Sequence, residues 1–145
     1  MKTRFRINEK EPRAYAAMGE LEKYLNSSAV KPHLRELIKI RSSQINRCAY
    51  CLELHTEAAL KLGEDQHRLF ALVAWHESPL FTDEERVLLK MTEEVSLISE
   101  QGLTEETYQR ACDFFSENEL AQIIMQIGTI NLWNRIAVST HLQHP

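Results

Sequence analysis

The chain has 145 residues, of which 43% are hydrophobic and 26% are charged, and its formal net charge is −4. This length is enough for one domain with a core of its own, so we expect a single domain over residues 1–145. Gly and Pro are scarce, with four of each, which argues against a β-rich fold with many tight turns. The absence of a basic block or basic-aromatic stripe removes the electrostatic basis for nucleic-acid binding.

The N-terminal segment MKTRFRINEKEPRAY has no apolar stretch of the kind found in secretory signals. No apolar run approaches the roughly 20 residues that a membrane span requires. Three cysteines in a chain without an export signal indicate a reducing compartment. We therefore expect a cytoplasmic protein with no membrane partner.

The predicted elements in chain order are all helices, because apolar residues recur at helical spacing and no segment alternates like a strand. Pro32 suits a first helical turn, Gly63 a helix stop, and Asp65 a helix cap. The spacings of Thr82 with Glu85 and of Ser116 with Glu119 are those of capping boxes. The predicted helices cover residues 13–25, a stretch from 32, residues 48–62, 69–75 and 82–98, a short stretch from 104, and residues 120–142. We predict an all-α fold of six to eight helices.

Cys48, Cys51 and His55 form a C-x2-C-x3-H pattern at the predicted start of a helix. At about 100° per residue, offsets of three and seven residues fall within roughly 60° of one another, so both thiols and the imidazole would share a face. Two cysteines at this spacing can close a reversible disulfide. The helix N-terminus and His55 could each favour the thiolate, which is the reactive form of cysteine.

A histidine in this role usually requires an orienting carboxylate, and Glu36 is the candidate. On one straight helix, however, Glu36 would lie about 120° away from Cys48. A break in the helix at residues 44–47 is therefore necessary if Glu36 is to face the thiols. Taken alone, Glu36 would more often be a solvated residue beside Arg35 or Lys39.

At these residues the chain resembles the AhpD-type alkylhydroperoxidases of the carboxymuconolactone decarboxylase superfamily. Glu36, Cys48, Cys51 and His55 carry the resemblance, together with the segment SQINRCAYCLELHTEAA. The segments RLFALVAWHES and INLWNRIAV give weaker support. The resemblance implies a single AhpD-like helical domain, assembly as a homo-trimer or homo-hexamer, and no bound cofactor or metal.

The resemblance also implies a reaction, the reduction of hydroperoxides. Cys51 would attack the peroxide oxygen and become a sulfenic acid, and Cys48 would condense with it to a disulfide. Glu36 and His55 would form the proton relay. A dithiol reductant, such as a dihydrolipoyl protein, would then restore both thiols.

Two departures from the family pattern affect this expectation. AhpD itself has a histidine immediately before the second cysteine, where this chain has Tyr50, so Tyr50 is a possible relay residue or only a packing residue. The founding decarboxylases of the superfamily lack the cysteine pair, which argues against lactone decarboxylation here. The residues alone leave the order of attack open, because a helix N-terminus would favour Cys48 as the thiolate.

Other interpretations of the same residues remain. Cys48, Cys51 and His55 could bind zinc, with Cys112, Glu36 or water as a fourth ligand. The chain could instead be a redox sensor or an oligomeric interaction protein that is oxidised without turnover. Cys112 is expected to be a buried structural cysteine. Trp75 and Trp133 are expected to be core or interface residues, and the other histidines to lie at the surface: His33, His67, His76, His141 and His144.

Overall fold

The computed structural model describes residues 2–144, and all of the regular structure in that range is helical. The eight α-helices are α1 (Ile7–Lys10), α2 (Pro12–Asn26), α3 (Pro32–Ile45), α4 (Ala49–Lys61), α5 (Gln66–Ala71), α6 (Asp83–Ser96), α7 (Glu105–Cys112) and α8 (Glu117–Thr140), with a 3-10 turn at Leu72–Ala74. The predicted all-α fold is confirmed; only the one-turn α1 was missed. Within residues 2–144, no helix combines the length and the apolar character needed to cross a bilayer.

The helix boundaries follow from local capping chemistry. Both predicted capping boxes are present, with Thr82 opening α6 and Ser116 opening α8. The Asp65 carboxylate accepts hydrogen bonds from the first backbone amides of α5. Gly63 follows α4 at a φ of 90°, a conformation that glycine adopts without steric cost, and the next amide returns to the carbonyl of Ala59. The starts of α5, α6 and α8 and the end of α4 are therefore capped by the residues that the sequence indicates.

Helix α3 lies at the centre of the molecule and packs against α4, α6 and α8. Its apolar side chains meet those of α6 and α8 in one core, and Trp75 belongs to it. Fully burying a Leu, Ile or Met side chain stabilises the fold by about 1.5–3 kcal/mol. The largest fully buried side chains on these three helices are Leu34, Leu37, Ile38, Ile40, Leu88, Leu89, Met91, Ile123, Ile127 and Ile130. Every residue from 34 to 40 is buried, which fixes the position of α3 and of its polar residues.

A network of polar side chains ties the end of α3 to α8. The Asn46 amide donates to the side-chain oxygens of Asn131 and Asn134 at 2.9 and 3.0 Å. Asn134, which is fully buried, donates in turn to the Ser43 hydroxyl at 3.0 Å. Buried polar groups that are satisfied in this way rigidify and specify one arrangement of the core. The network therefore holds the C-terminal end of α3 in a defined place.

The two ends of the described chain meet beside this region. The Arg4 amide donates to the carbonyl of Thr140 at 2.9 Å, and the Thr3 hydroxyl donates to the carbonyl of His141 at 3.2 Å. His141 ends α8 in the left-handed conformation, with a φ of 53°. Leu142 then turns back and packs against the Cys48–Cys51 pair. The C-terminal segment thus forms part of the wall around these cysteines.

Gln126 on α8 is 1% exposed, and neither its amide nitrogen nor its oxygen has a hydrogen-bond partner within the described residues. An orphaned buried amide costs about 1–3 kcal/mol. We predict that Gln126→Met, which keeps the side-chain length, raises the free energy of unfolding by about 1 kcal/mol. The measurement is urea denaturation of the oxidised protein.

The matched control is Gln122→Met, one turn earlier on α8. The Gln122 oxygen accepts a hydrogen bond from the Ala29 amide at 3.1 Å, so this variant should lose stability. Equal losses in both variants would show that the Gln126 amide is satisfied and would contradict the prediction.

Candidate active site

The break between α3 and α4 is built from backbone hydrogen bonds around one left-handed residue. Arg47 has a φ of 53°. Its amide donates to the carbonyl of Gln44 at 3.2 Å, and the Cys48 amide donates to the carbonyl of Ser43 at 3.0 Å. This pair of bonds is a Schellman motif with arginine where glycine is usual. The break required at residues 44–47 is confirmed, and it directs α4 back along α3.

Cys48 and Cys51 pair as a disulfide at the start of α4, with Cα atoms 5.4 Å apart. Cys48 is the N-cap residue, and its Sγ accepts a hydrogen bond from the Cys51 amide at 3.4 Å. Because Cys48 has extended backbone angles and precedes the helix, the argument from helical spacing applies only to Cys51 and His55. The Cys48 sulfur lies beside Cys51 through the disulfide.

Glu36 and His55 meet across the two helices. The His55 Nδ1 and the Glu36 Oε2 are 3.0 Å apart, and the Lys39 ammonium lies 3.1 Å from the other carboxylate oxygen. Glu36 is 8% exposed, so it is not a solvated surface residue. Burial raises the pKa of Glu36, but the hydrogen bond from His55 and the nearby Lys39 charge outweigh it and leave the pKa below its usual value. Glu36 is therefore an ionised partner for the imidazole.

A cavity of about 460 Å³ opens onto this pair and onto Cys51. Its walls are mainly apolar and come from α2, α4, α8 and the segment after α8, while α3 contributes Glu36 and Lys39. They include Tyr15, Tyr50, Leu54, Ala58, Trp133, Ile136, Ala137 and Leu142. Cys48 instead faces a separate cleft of about 370 Å³ next to Arg47 and residues 141–144. Tyr50, Ala137 and Leu142 border both spaces, so the disulfide lies in the partition between them.

Lys39, Glu22 and Tyr15 also line the cavity, and the sequence analysis did not identify them as site residues. Lys39 is 4% exposed and contacts Glu36. Glu22, on α2, lies 3.8 Å from Lys39 and accepts a hydrogen bond from the Trp133 indole at 3.1 Å. Tyr15 packs edge-on against Trp133, with ring centroids 5.3 Å apart. The i, i+3 spacing of Glu36 and Lys39 is a weak indication of their ion pair. Nothing in the sequence indicates that α2, with Tyr15 and Glu22, packs beside that pair.

The alternative of a zinc site has no support in the geometry. Within residues 2–144, no group of three or more His, Cys, Asp or Glu side chains is arranged to hold a metal ion.

Cys112 and the histidines other than His55 lie outside the cavity lining. Cys112 is exposed at the end of α7, so the expectation of a buried structural cysteine is wrong. The short α7 turns that position towards solvent, whereas Ala111 beside it is buried. Of the remaining histidines, His67, His76 and His144 are exposed, and His33 and His141 are partly buried.

Comparison with known proteins identifies the family, and the matched region contains Glu36, both cysteines of the disulfide and His55. The model of the carboxymuconolactone decarboxylase family matches residues 10–94. The chain belongs to the carboxymuconolactone decarboxylase family and is an AhpD-like member of it.

Individual relatives cover nearly the whole chain. It is 36% identical over 139 residues to the uncharacterized protein YdfG of Bacillus subtilis strain 168, covering 96% of this chain and 95% of that one. The crystal structure of ATU0492 from Agrobacterium tumefaciens, a protein of unknown function suggested to be the antioxidant defence protein AhpD, has a TM-score of 0.96 at 37% identity and 99% coverage of both chains. The debrominase Bmp8 has a TM-score of 0.83 at 22% identity, with 94% and 74% coverage, which shows a shared fold.

The lowered pKa of Glu36 predicts an acid-sensitive contribution to stability. A carboxyl whose folded pKa lies below its unfolded value of about 4.5 stabilises the fold above that pH. The contribution is lost as pH falls from about 5 through the folded pKa. We predict that Glu36→Gln lowers stability at pH 7 and makes the decline in the free energy of unfolding below pH 5 less steep. Urea denaturation at a series of pH values measures both; an unchanged acid slope in the variant would contradict the prediction.

Proposed function

We propose that this protein is a thiol-dependent alkylhydroperoxidase that works through a dithiol–disulfide cycle of Cys48 and Cys51. The observation that carries the proposal is the placement of Cys51 in one cavity with His55, whose imidazole is paired with the buried, ionised Glu36. Cysteine needs a base to form thiolate, and a histidine held by a carboxylate is suited to that task. The apolar cavity walls favour the organic part of an alkyl hydroperoxide over water.

In the first step, the His55 imidazole removes the proton of the Cys51 thiol. Because Glu36 accepts the Nδ1 hydrogen of His55, the free Nε2 is the atom that acts as base. The Cys51 thiolate attacks the terminal peroxide oxygen, so that an S–O bond forms as the O–O bond breaks. The leaving alkoxide takes the proton back from His55 and departs as an alcohol. Cys51 is then a sulfenic acid.

In the second step, the Cys48 thiol attacks the Cys51 sulfenic acid. The S–S bond forms and water is released, which gives the disulfide pairing seen here. An external dithiol, such as a dihydrolipoyl group on a protein, reduces this disulfide by two successive exchange steps. The two electrons that reduced the peroxide thus come from the dithiol, and no cofactor takes part in the proposed cycle.

Two features support Cys51 over Cys48 as the attacking thiol: Cys51 borders the cavity proposed for the peroxide, and it lies in the same cavity as His55, the proposed base. Cys51 borders the cavity that contains His55, whereas Cys48 does not. The opposing consideration is that the Cys51 amide donates to the Cys48 sulfur, which would also stabilise a thiolate there. Tyr50 borders both spaces, so a relay through its hydroxyl belongs to the proposal as a secondary element.

The alternative function is a redox sensor that is oxidised once without sustained turnover. It uses the same cysteines, since a sensor also needs an accessible thiol near a second cysteine. The similarity to a debrominase shows that this fold does not select one reaction. The apolar cavity beside the base favours the peroxidase, because a sensor of hydrogen peroxide has no use for a space that fits an organic group. A cytoplasmic location, where reduced dithiols are available, also belongs to this proposal.

We predict that the purified protein consumes cumene hydroperoxide over many cycles in the presence of excess dihydrolipoamide. Cys51→Ser should abolish turnover, because no thiol then lies beside His55. Cys48→Ser should permit one oxidation per chain and leave a sulfenic acid that dimedone labels. Peroxide loss and mass spectrometry provide the measurements.

The matched control is Cys112→Ser, which removes the exposed thiol of α7 and should keep the wild-type rate. Equal residual activity in the Cys48 and Cys51 variants would contradict the dithiol cycle. One stoichiometric oxidation of the wild type would favour the sensor.

Assembly with further copies of the chain is also part of the proposal. The outer face of α8 exposes Ile124, Met125 and Leu132, and Ile98 at the end of the α6 region lies beside Leu132. Such an apolar face on a helix that is already packed on its other side is typical of a subunit interface. We predict a homo-trimer or homo-hexamer by light scattering, and dissociation in Leu132→Asp. A monomeric wild type would contradict it.

A further inference from the structure

Lys39 is a buried cation of α3: its side chain is only 5% exposed and lies between two carboxylates. Its ammonium is 3.1 Å from the Glu36 carboxylate and 3.8 Å from the Glu22 carboxylate. A buried ammonium is costly unless it is paired, and breaking such a pair is strongly destabilising. A hydrophobic residue in the middle of α3 would serve packing better, so a reason other than packing is required.

The contacts of Lys39 supply such a reason. Lys39 binds one oxygen of Glu36, and this leaves the other oxygen directed at the His55 Nδ1 at 3.0 Å. The ammonium therefore restricts the rotation of the carboxylate and, together with the hydrogen bond from His55, favours its ionised form. A carboxylate held in this way keeps the histidine in the tautomer whose Nε2 can accept a proton.

Glu22 connects this ion pair to the cavity wall. One Glu22 oxygen lies near Lys39, and the other accepts the Trp133 indole N–H at 3.1 Å. Trp133 itself lines the cavity and packs against Tyr15. A chain of direct contacts thus runs from an aromatic wall of the cavity through two carboxylates and one ammonium to the imidazole.

We infer that Lys39 and Glu22 are positioning residues of the Glu36–His55 relay, and that α2 and α8 contribute to the reactivity of Cys51 through them. The inference deepens the proposed function, since it rests on His55 acting as the base for Cys51. The charged side chains that face the cavity are Glu22 from α2, Glu36 and Lys39 from α3, and His55 from α4, while α8 contributes Trp133, Ile136 and Ala137. Lys39 is therefore the one lysine or arginine among the described residues that line the cavity.

The test is the pH dependence of Cys51 alkylation by iodoacetamide, which requires no peroxide turnover. The background is reduced Cys48→Ser/Cys112→Ser protein, where Cys51 is the remaining thiol and serine replaces Cys48 as a suitable N-cap. Lys39→Met removes the cation, so the pH midpoint of alkylation should rise by about half to one pH unit. Lys39→Arg keeps the charge and should restore the midpoint to within about 0.3 unit.

Glu22→Gln provides a second variant that keeps the hydrogen-bond acceptor for Trp133. It removes one negative charge, so the midpoint should move in the opposite direction, to lower pH. Opposite shifts from two neighbouring substitutions distinguish positioning by charge from a general loss of packing. This variant also keeps the inference testable if Lys39→Met fails to fold.

The matched control is Arg41→Met, which removes a second cation of α3, one that is partly buried. Arg41 pairs with Glu93 at 2.8 Å on the side of α3 that faces α6, and its loss should leave the alkylation midpoint unchanged. The inference is overturned if the midpoint in Lys39→Met or Glu22→Gln equals that of the background protein, or if Arg41→Met shifts it as much as Lys39→Met does. Because alkylation is independent of turnover, failure of the peroxidase proposal and failure of this inference give separate results.

Discussion

The reversal of the chain at Arg47 is the constraint on which the rest of the site depends. On an uninterrupted helix Glu36 and the cysteines would point in different directions, and no side-chain motion could bring Glu36 to His55. The left-handed residue ends α3, and the buried amides of Asn131 and Asn134 hold that end against α8. The turn and the polar network therefore act together. The turn determines the direction of α4, and the network holds the end of α3 from which α4 begins.

The second organising principle is the burial of charge within α3. Burial of Glu36 alone would favour its neutral form, which would accept the His55 N–H only in a weaker, uncharged hydrogen bond. The hydrogen bond from His55 and the charge of Lys39 together reverse that tendency. Lys39 is itself a buried charge, and the nearby Glu22 carboxylate offsets the cost of burying it. Each polar side chain in this network thus offsets the cost of burying its neighbour, and the network ends at the indole N–H of Trp133.

Local signals in the sequence were sufficient for the helices other than the one-turn α1 and for the reactive cysteine pair. Capping boxes, Gly63 and apolar periodicity act within a few residues, which is why they predicted the ends of α4, α6 and α8. The spacing of Cys48, Cys51 and His55, with Glu36, indicated both the family and the relay. The contributions of Glu22 and Tyr15 could not be predicted, because they depend on how α2 packs against α8. The exposure of Cys112 was missed for the same reason, since the packing of the short α7 decides which of its residues face solvent. The single-domain organisation and the catalytic roles of these residues stay predictions.

The meeting of the two chain ends beside the dithiol has a consequence for dynamics. Thr3 and Arg4 hold the end of α8 by hydrogen bonds to the carbonyls of His141 and Thr140, and Leu142 immediately beyond closes over the cysteines. Residues 3–4 contact α8 only through its last turn and the residue that follows it, so these hydrogen bonds and the cover over the sulfur atoms depend on each other. A displacement of residues 3–4 from α8 would release the segment that carries Leu142. Access of a reductant to the disulfide is therefore coupled to the docking of residues 3–4 on α8.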